Sequence, residues 1–208
     1  ALSLKEIPAI VQAYKLGAIN AQKAGFDGVE IHGANGYLLD QFLQDSANHR
    51  NDEYGGSIEN RARLMLEVTD AVVSIWGTGR VGMHLAPRGD AHSMGDSERL
   101  ATFSYVARAL GKRNLAFICA REYVAEDSLG PKLKKIFGGM YIANEGMTPE
   151  LGEALLQQGK ADAIAFGKTI IANPDLPARI KSGYLLNEPN PKTFYASNAE
   201  GYTDYPFM

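Results

Sequence analysis

Only one cysteine occurs in 208 residues, Cys119, so no internal disulfide is available and the chain suits a reducing compartment. A basic surplus is also missing. The 21 Lys and Arg against 24 Asp and Glu give a net charge of −3, which excludes a general nucleic-acid binder, because neutralising phosphates needs an excess of positive charge. No apolar run is long enough to span a bilayer. The opening Ala-Leu-Ser-Leu-Lys-Glu lacks the basic and apolar regions of a signal peptide, so a cytoplasmic location is expected. It also lacks an initiator Met, which leaves open a processed start or a fragment. Linkers and low-complexity segments are absent, so residues 1–208 are expected to form one domain. What is present is ordinary for a globular chain of this length: 45% hydrophobic, 22% charged and 22 glycines.

Helix and strand signals alternate. Ser3 with Glu6 forms a capping box ahead of Ile7, Ile10, Val11, Tyr14 and Ala18, which fall at helical spacing, and Pro8 can bend the start of that helix. Phe26 to His32 reads as a short buried strand, followed by a loop rich in Gly, Asn and Asp. Ser57 caps a second helix running to about Trp76. Further strands are expected at Arg80–Leu85, Leu115–Cys119, Met140–Ala143 and Ala161–Phe166. Helices are expected at Glu98–Leu110, at Lys132–Phe137, after Thr148 and after Asn173, with a loop-like tail from Leu185. Five strands joined by four helical crossovers mean an α/β fold with a parallel sheet. Two closures fit: an open doubly wound sheet, or part of a (β/α)₈ barrel. A whole barrel takes about 250 residues and eight strands, so this chain falls short by three. No Gly-x-Gly-x-x-Gly follows a first strand, which weakens the open-sheet nucleotide-binding reading.

Polar and glycine-rich residues cluster at strand ends, where both folds place function. After the first strand, His32 and Asn35 could donate to a carbonyl oxygen, with Tyr37 able to deliver a proton nearby. A His-x-x-Asn pair is weak evidence alone, since polar loop residues commonly satisfy backbone groups. Gly146 and Gly167-Lys168 follow the last two strands, where backbone N–H groups and a lysine could cradle a phosphate. The plainer reading is two tight turns that need glycine for positive φ. The charged stretch Asn48 to Arg63 shows no metal-ligand spacing and reads as a loop-and-cap network with Arg50 and Asp52 paired.

At the level of motifs, Phe26-Asp-Gly-Val-Glu-Ile-His-Gly-Ala-Asn-Gly-Tyr-Leu-Leu-Asp-Gln-Phe-Leu43, then Asn48-x-Arg-x-Asp-x-Tyr-Gly-Gly-Ser-x-Glu-Asn-Arg61, resembles the signature of Old Yellow Enzyme relatives. These include N-ethylmaleimide reductases and 12-oxophytodienoate reductases. The likeness continues through Ala165-Phe-Gly-Lys-x-x-Ile-Ala-Asn-Pro-Asp-Leu176, Thr193-Phe-Tyr195 and Ala199 to Pro206, essentially the whole chain. It implies the C-terminal part of an FMN-containing (β/α)₈ barrel, here a partial barrel of about five parallel strands. It also implies a reductase that uses NADPH to reduce the C=C bond of α,β-unsaturated carbonyl compounds, with an enone or quinone as substrate. By resemblance, His32 and Asn35 bind the carbonyl oxygen, Tyr37 donates the proton, and Tyr195 lies beside the substrate. His84, Gly146, Gly167 and Lys168 match flavin-contacting positions.

Three departures stand out against that resemblance. His84 replaces an Arg against the flavin ring, and a neutral His lacks the permanent charge of an Arg. Glu145 replaces a Gly beside the phosphate; a carboxylate about 4 Å from a phosphate charge costs on the order of 4 kcal/mol at an effective dielectric of about 20. The family's first three strands have no counterpart here. Weak or absent FMN binding is therefore expected, and open barrel edges imply possible self-association. The competing expectation is a truncated, flavin-poor and inactive homologue with a binding or structural role. Cys119 is expected to be a buried small apolar residue.

Overall fold

A computed structural model describes residues 1–88 and 91–208. The elements in chain order are α1 (Ile7–Lys23), β1 (Val29–Gly33), α2 (Leu38–Leu43), α3 (Ile58–Trp76), β2 (Val81–Leu85), α4 (Arg99–Lys112), β3 (Phe117–Arg121), α5 (Gly130–Phe137), β4 (Met140–Asn144), α6 (Pro149–Gln157), β5 (Ala163–Ile164), α7 (Lys168–Ala172) and α8 (Leu176–Ser182). The five strands form one parallel sheet in the order β1-β2-β3-β4-β5. Sequential order without a switch point is the arrangement of a barrel arc rather than of a doubly wound sheet.

Alternation along the strands separates two faces. Ile31, Met83, Leu85, Ile118, Ala120, Tyr141 and Ala143 are buried within the hydrophobic core that the helices share. The opposite face carries, in register, Glu30 beside Gly82 and Phe117, then His32 beside His84, Cys119 and Ile142, then Arg121 beside Asn144. Gly82 is required there: a Cβ on it would lie 2.2 Å from the Phe117 ring. The polar strand residues Glu30, His32, His84, Arg121 and Asn144 thus share the inner face with Phe117, Cys119 and Ile142, and the other face is wholly apolar and lies under the helices.

Helix α3 shows how local sequence sets this up. The Ser57 hydroxyl accepts the Asn60 N–H at 3.3 Å, and Gly77 ends the helix at φ +73°. Its Ala62, Met65, Val68, Thr69, Val72 and Trp76 recur every three or four residues and are buried. The Trp76 indole N–H donates to the Ala18 carbonyl at 3.0 Å, tying α3 to α1. Arg61, also buried, donates to the Leu43 carbonyl and pairs with Asp96 at 2.5 Å. Breaking such a buried pair by removing one partner costs about 3–5 kcal/mol. Arg50 and Asp52 pair as expected, at 2.7 Å.

The structure corrects several boundaries. Only half of the Ser3–Glu6 box forms: the Glu6 carboxylate accepts the Ser3 N–H at 2.7 Å, but the Ser3 hydroxyl also donates to that carboxylate instead of capping the Glu6 N–H, and the contact closes a turn ahead of α1, whose N-cap is Glu6. The loop after β1 contains α2, and α7 begins directly at Lys168; neither was expected from the sequence. The last strand is only Ala163–Ile164, shorter than 161–166.

Candidate functional site

The site stands at the C-terminal ends of β1 to β4. His32 lies one residue before the end of β1 and pairs in register with His84 on β2. Their rings meet edge-on with centroids 5.3 Å apart, and the Tyr37 ring lies 5.4 Å from His32 on its other side. Tyr37 is the N-cap of α2 and is 59% exposed, so its hydroxyl is open to solvent or to a ligand.

Asn35 adopts φ +59° and Gly36 φ +74°, a left-handed pair that turns the chain sharply out of β1. Asparagine tolerates that region better than most residues. The turn is held from beneath by Asp40 of α2, which is fully buried. Its carboxylate accepts the Gly36 N–H at 2.9 Å and the Gln44 side-chain amide at 2.7 Å, and burial pushes its pKa up against both bonds. Gln41 donates to the Gly36 carbonyl at 2.6 Å. The sequence-predicted polar loop is therefore anchored by a short helix that positions Asn35 and Tyr37.

His84 is well buried. Burial first, then the nearby His32 and Arg121, pushes its pKa down from 6.5 to about 4, so it is neutral at pH 7. Its Nδ1 lies 3.6 Å from a Glu30 carboxylate oxygen, and its Nε2 is buried without a hydrogen-bond partner among the described residues. Burial also lowers the pKa of His32. Cys119 is 5% exposed, and burial first, with the Glu30 charge, pushes its thiol up to about 12; it is an inert core thiol.

Arg121, which the sequence does not mark out, and Glu145 complete the arrangement. Arg121, at the end of β3, forms an ion pair with Glu145, and its Nη1 donates to the Asn35 Oδ1 at 2.9 Å. Glu145 itself sits at φ +89°, a region that favours glycine. Burial opposes its ionisation, but hydrogen bonds from Arg121 and Tyr123 and the charges of Arg121 and Lys168 hold the carboxyl below its usual range. The signal for Arg121 was its place at a strand C-terminus, shared with His32.

The expected phosphate residues fare unevenly. Gly146 has φ +65°, and a Cβ there would lie 3.0 Å from the Tyr123 ring. Gly167 has φ −93° and open space around a Cβ, so the tight-turn explanation fails for it. Lys168 is exposed at the start of α7. Tyr195 is fully exposed and, among the described residues, has no ring contact with His32 or Tyr37. The structure brings together His32, Tyr37 and His84 through ring contacts, with Asn35 on the turn between His32 and Tyr37. Among the described residues no group of three His, Cys, Asp or Glu could hold a metal, and no helix is long and apolar enough to cross a membrane.

The model of the NADH:flavin oxidoreductase / NADH oxidase family matches residues 1–187. The chain belongs to that family. It is 42% identical to 12-oxophytodienoate reductase 2 of Arabidopsis thaliana over 216 residues, covering 100% of this chain and 58% of that protein. A solved morphinone reductase in complex with tetrahydroNAD is 44% identical, with a TM-score of 0.96, covering 100% of this chain and 58% of that one. The Old Yellow Enzyme homologue of Zymomonas mobilis is 41% identical, also with a TM-score of 0.96, and this chain covers 61% of it. The chain thus spans about three fifths of the relatives it matches, and its five parallel strands correspond to part of their barrel.

An FMN fits this inner face at one end. His84, on the inner face, has in Nε2 a buried polar atom without a partner among the described residues, which a ring heteroatom would satisfy. At the other end Glu145 adds a carboxylate near Lys168, which weakens the hold on a phosphate.

Proposed function

We propose that this chain carries the carbonyl-binding and proton-donating half of an FMN-dependent ene-reductase that uses NADPH to reduce the C=C bond of α,β-unsaturated carbonyl compounds. The observation that carries this reading is the grouping of His32, Asn35 and Tyr37 on one strand end, with Asn35 and Tyr37 fixed by the buried Asp40. Residues 1–208 act as one domain, the C-terminal part of a flavin-dependent (β/α) barrel.

Neutral His32 offers one ring N–H, and Asn35 offers its amide NH₂, to the substrate's carbonyl oxygen. Both donors stabilise the negative charge that develops there as hydride reaches the β-carbon. Tyr37 then gives its hydroxyl proton to the α-carbon. Bound FMN, held by His84, Gly146, Gly167 and Lys168, would supply the hydride. Tyr195 covers the substrate if the C-terminal segment folds over the site. An enone or a quinone presents the acceptor oxygen this site needs, and nucleic acid and membrane are not its ligands. The ion pair of Glu145 beside Lys168 favours a second reading, a flavin-poor, catalytically inactive homologue with a binding role.

The two readings separate in the half-reactions of protein supplied with excess FMN. Tyr37→Phe should slow oxidation of the reduced protein by an enone at least tenfold while leaving its reduction by NADPH largely intact. Equal loss in both halves would show that Tyr37 has another role, and no enone reduction by the unaltered chain would favour the inactive homologue.

A further inference from the structure

Asn35 can serve a carbonyl oxygen only if its NH₂ group faces that oxygen. The two ends of a carboxamide are alike in shape, so something must choose between them. In this structure the atom turned towards β3 meets Arg121, whose Nη1 lies 2.9 Å from it. A guanidinium has five donors and no acceptor, so the amide atom facing it has to be Oδ1. The NH₂ group then points the other way.

We propose that Arg121 is a positioning residue for Asn35, fixing the amide so that its NH₂ is presented to the substrate's carbonyl oxygen. The inference rests on the reading of Asn35 given above. Glu145 is the second half of the device. Its carboxylate takes the Arg121 Nε–H, so the guanidinium is gripped on one edge and offers the other to Asn35. A residue with a carboxylate at φ +89° is an uncomfortable choice for a turn that glycine would make freely, and the ion pair accounts for its presence. The Arg121 and Glu145 side chains are 26% and 11% exposed, so water competes weakly for either bond. The bond from a cation to Oδ1 also polarises the amide and makes its remaining N–H groups better donors. The relay Glu145–Arg121–Asn35 thus joins the turns after β4 and β1 to the end of β3, through side chains 24 and 86 residues apart.

The test is an NMR titration of the full chain with 2-cyclohexen-1-one, following the side-chain NH₂ signals of Asn35. The variants are Arg121→Met, Arg121→Lys, Glu145→Gln and Asn35→Ala, and each is checked for a native amide spectrum. Arg121→Met should weaken binding about tenfold, and Arg121→Lys, which keeps a donor, should recover part of that loss. Glu145→Gln should give a smaller loss in the same direction, and it serves if Arg121→Met does not fold. In an Asn35→Ala background the Arg121 substitutions should have no further effect, because there is no amide left to orient. An equal loss in both backgrounds, or no loss from Arg121→Met where Asn35→Ala does weaken binding, would overturn the positioning role alone. No weakening by Asn35→Ala, or no binding by the unaltered chain, would overturn the carbonyl-site reading with it.

Discussion

His84 shows how burial sets the chemistry of an inner-face position. An Arg there would carry its charge at every pH. The histidine is kept neutral by burial first, then by His32 once that ring takes up a proton and by the permanent charge of Arg121. Its folded-state pKa of about 4 lies below the ordinary value of 6.5, so the unfolded chain takes up the proton first as pH falls. Its contribution to stability is complete above pH 6.5 and is lost as pH falls towards 4. At about 1.4 kcal/mol per unit, this loss amounts to roughly 3 kcal/mol. Lowered by burial, His32 adds in the same direction. Glu30, whose carboxyl burial raises, opposes it. Urea denaturation between pH 7 and 4 should show this loss, and His84→Gln should remove most of it. An unchanged slope in that variant would place the titrating group elsewhere. The sequence made His32, Asn35, Tyr37 and His84 visible because they follow strand signals. Arg121 and Glu145 were not visible as a pair with Asn35, because contacts across 24 and 86 residues leave no periodic trace in a single chain.

Among the elements, α2 matters most to the site, and the sequence concealed it, as it did α7. Six residues, Leu38 to Leu43, are too few to display a helical period, and they lie within a stretch rich in Gly, Asn and Asp. The longer helices α1, α3 and α4 were legible because their apolar residues repeat over three turns or more. The strands β1 to β4 were legible as short apolar runs between glycines and polar residues, with no end off by more than three residues. Strand β5 was overestimated. Its flanking Ala161 and Phe166 are apolar, but only two residues pair with β4. The role of α2 is testable through Asp40. Asp40→Ala leaves the Gly36 N–H and the Gln44 amide without their acceptor and should destabilise the fold by about 1–3 kcal/mol, with a matching loss of ligand affinity at Asn35. Asp40→Asn keeps an acceptor oxygen and avoids the burial of a charge, so it should cost less. Equal midpoints for the two variants in urea would show that the Gly36 turn does not depend on this bond.

The whole molecule is an arc of five parallel strands, with its polar strand residues on the inner face and a wholly apolar face packed under the helices. Among the described residues β1 pairs with β2 only and β5 with β4 only. Beside the free edge of β1 a groove of about 450 Å³ runs between α1 and the strand, lined by Tyr14, Ala18, Val29, Glu30, His32 and Val72. An unpaired edge next to an apolar groove is a template for association. Light scattering should therefore show dimers or larger species at tens of micromolar, and a Val29→Lys substitution at that edge should shift them towards monomer. A monodisperse monomer from the unaltered chain would remove this expectation. The claim on which the functional reading stands is that His32 and Asn35 together activate a carbonyl. It is tested most directly by supplying the chain with FMN, NADPH and 2-cyclohexen-1-one without oxygen and measuring cyclohexanone. The unaltered chain should form cyclohexanone faster than FMN alone, and the His32→Ala, Asn35→Ala double variant should lose at least a hundredfold of that excess. Formation at the rate of FMN alone, or an unimpaired double variant, would contradict it.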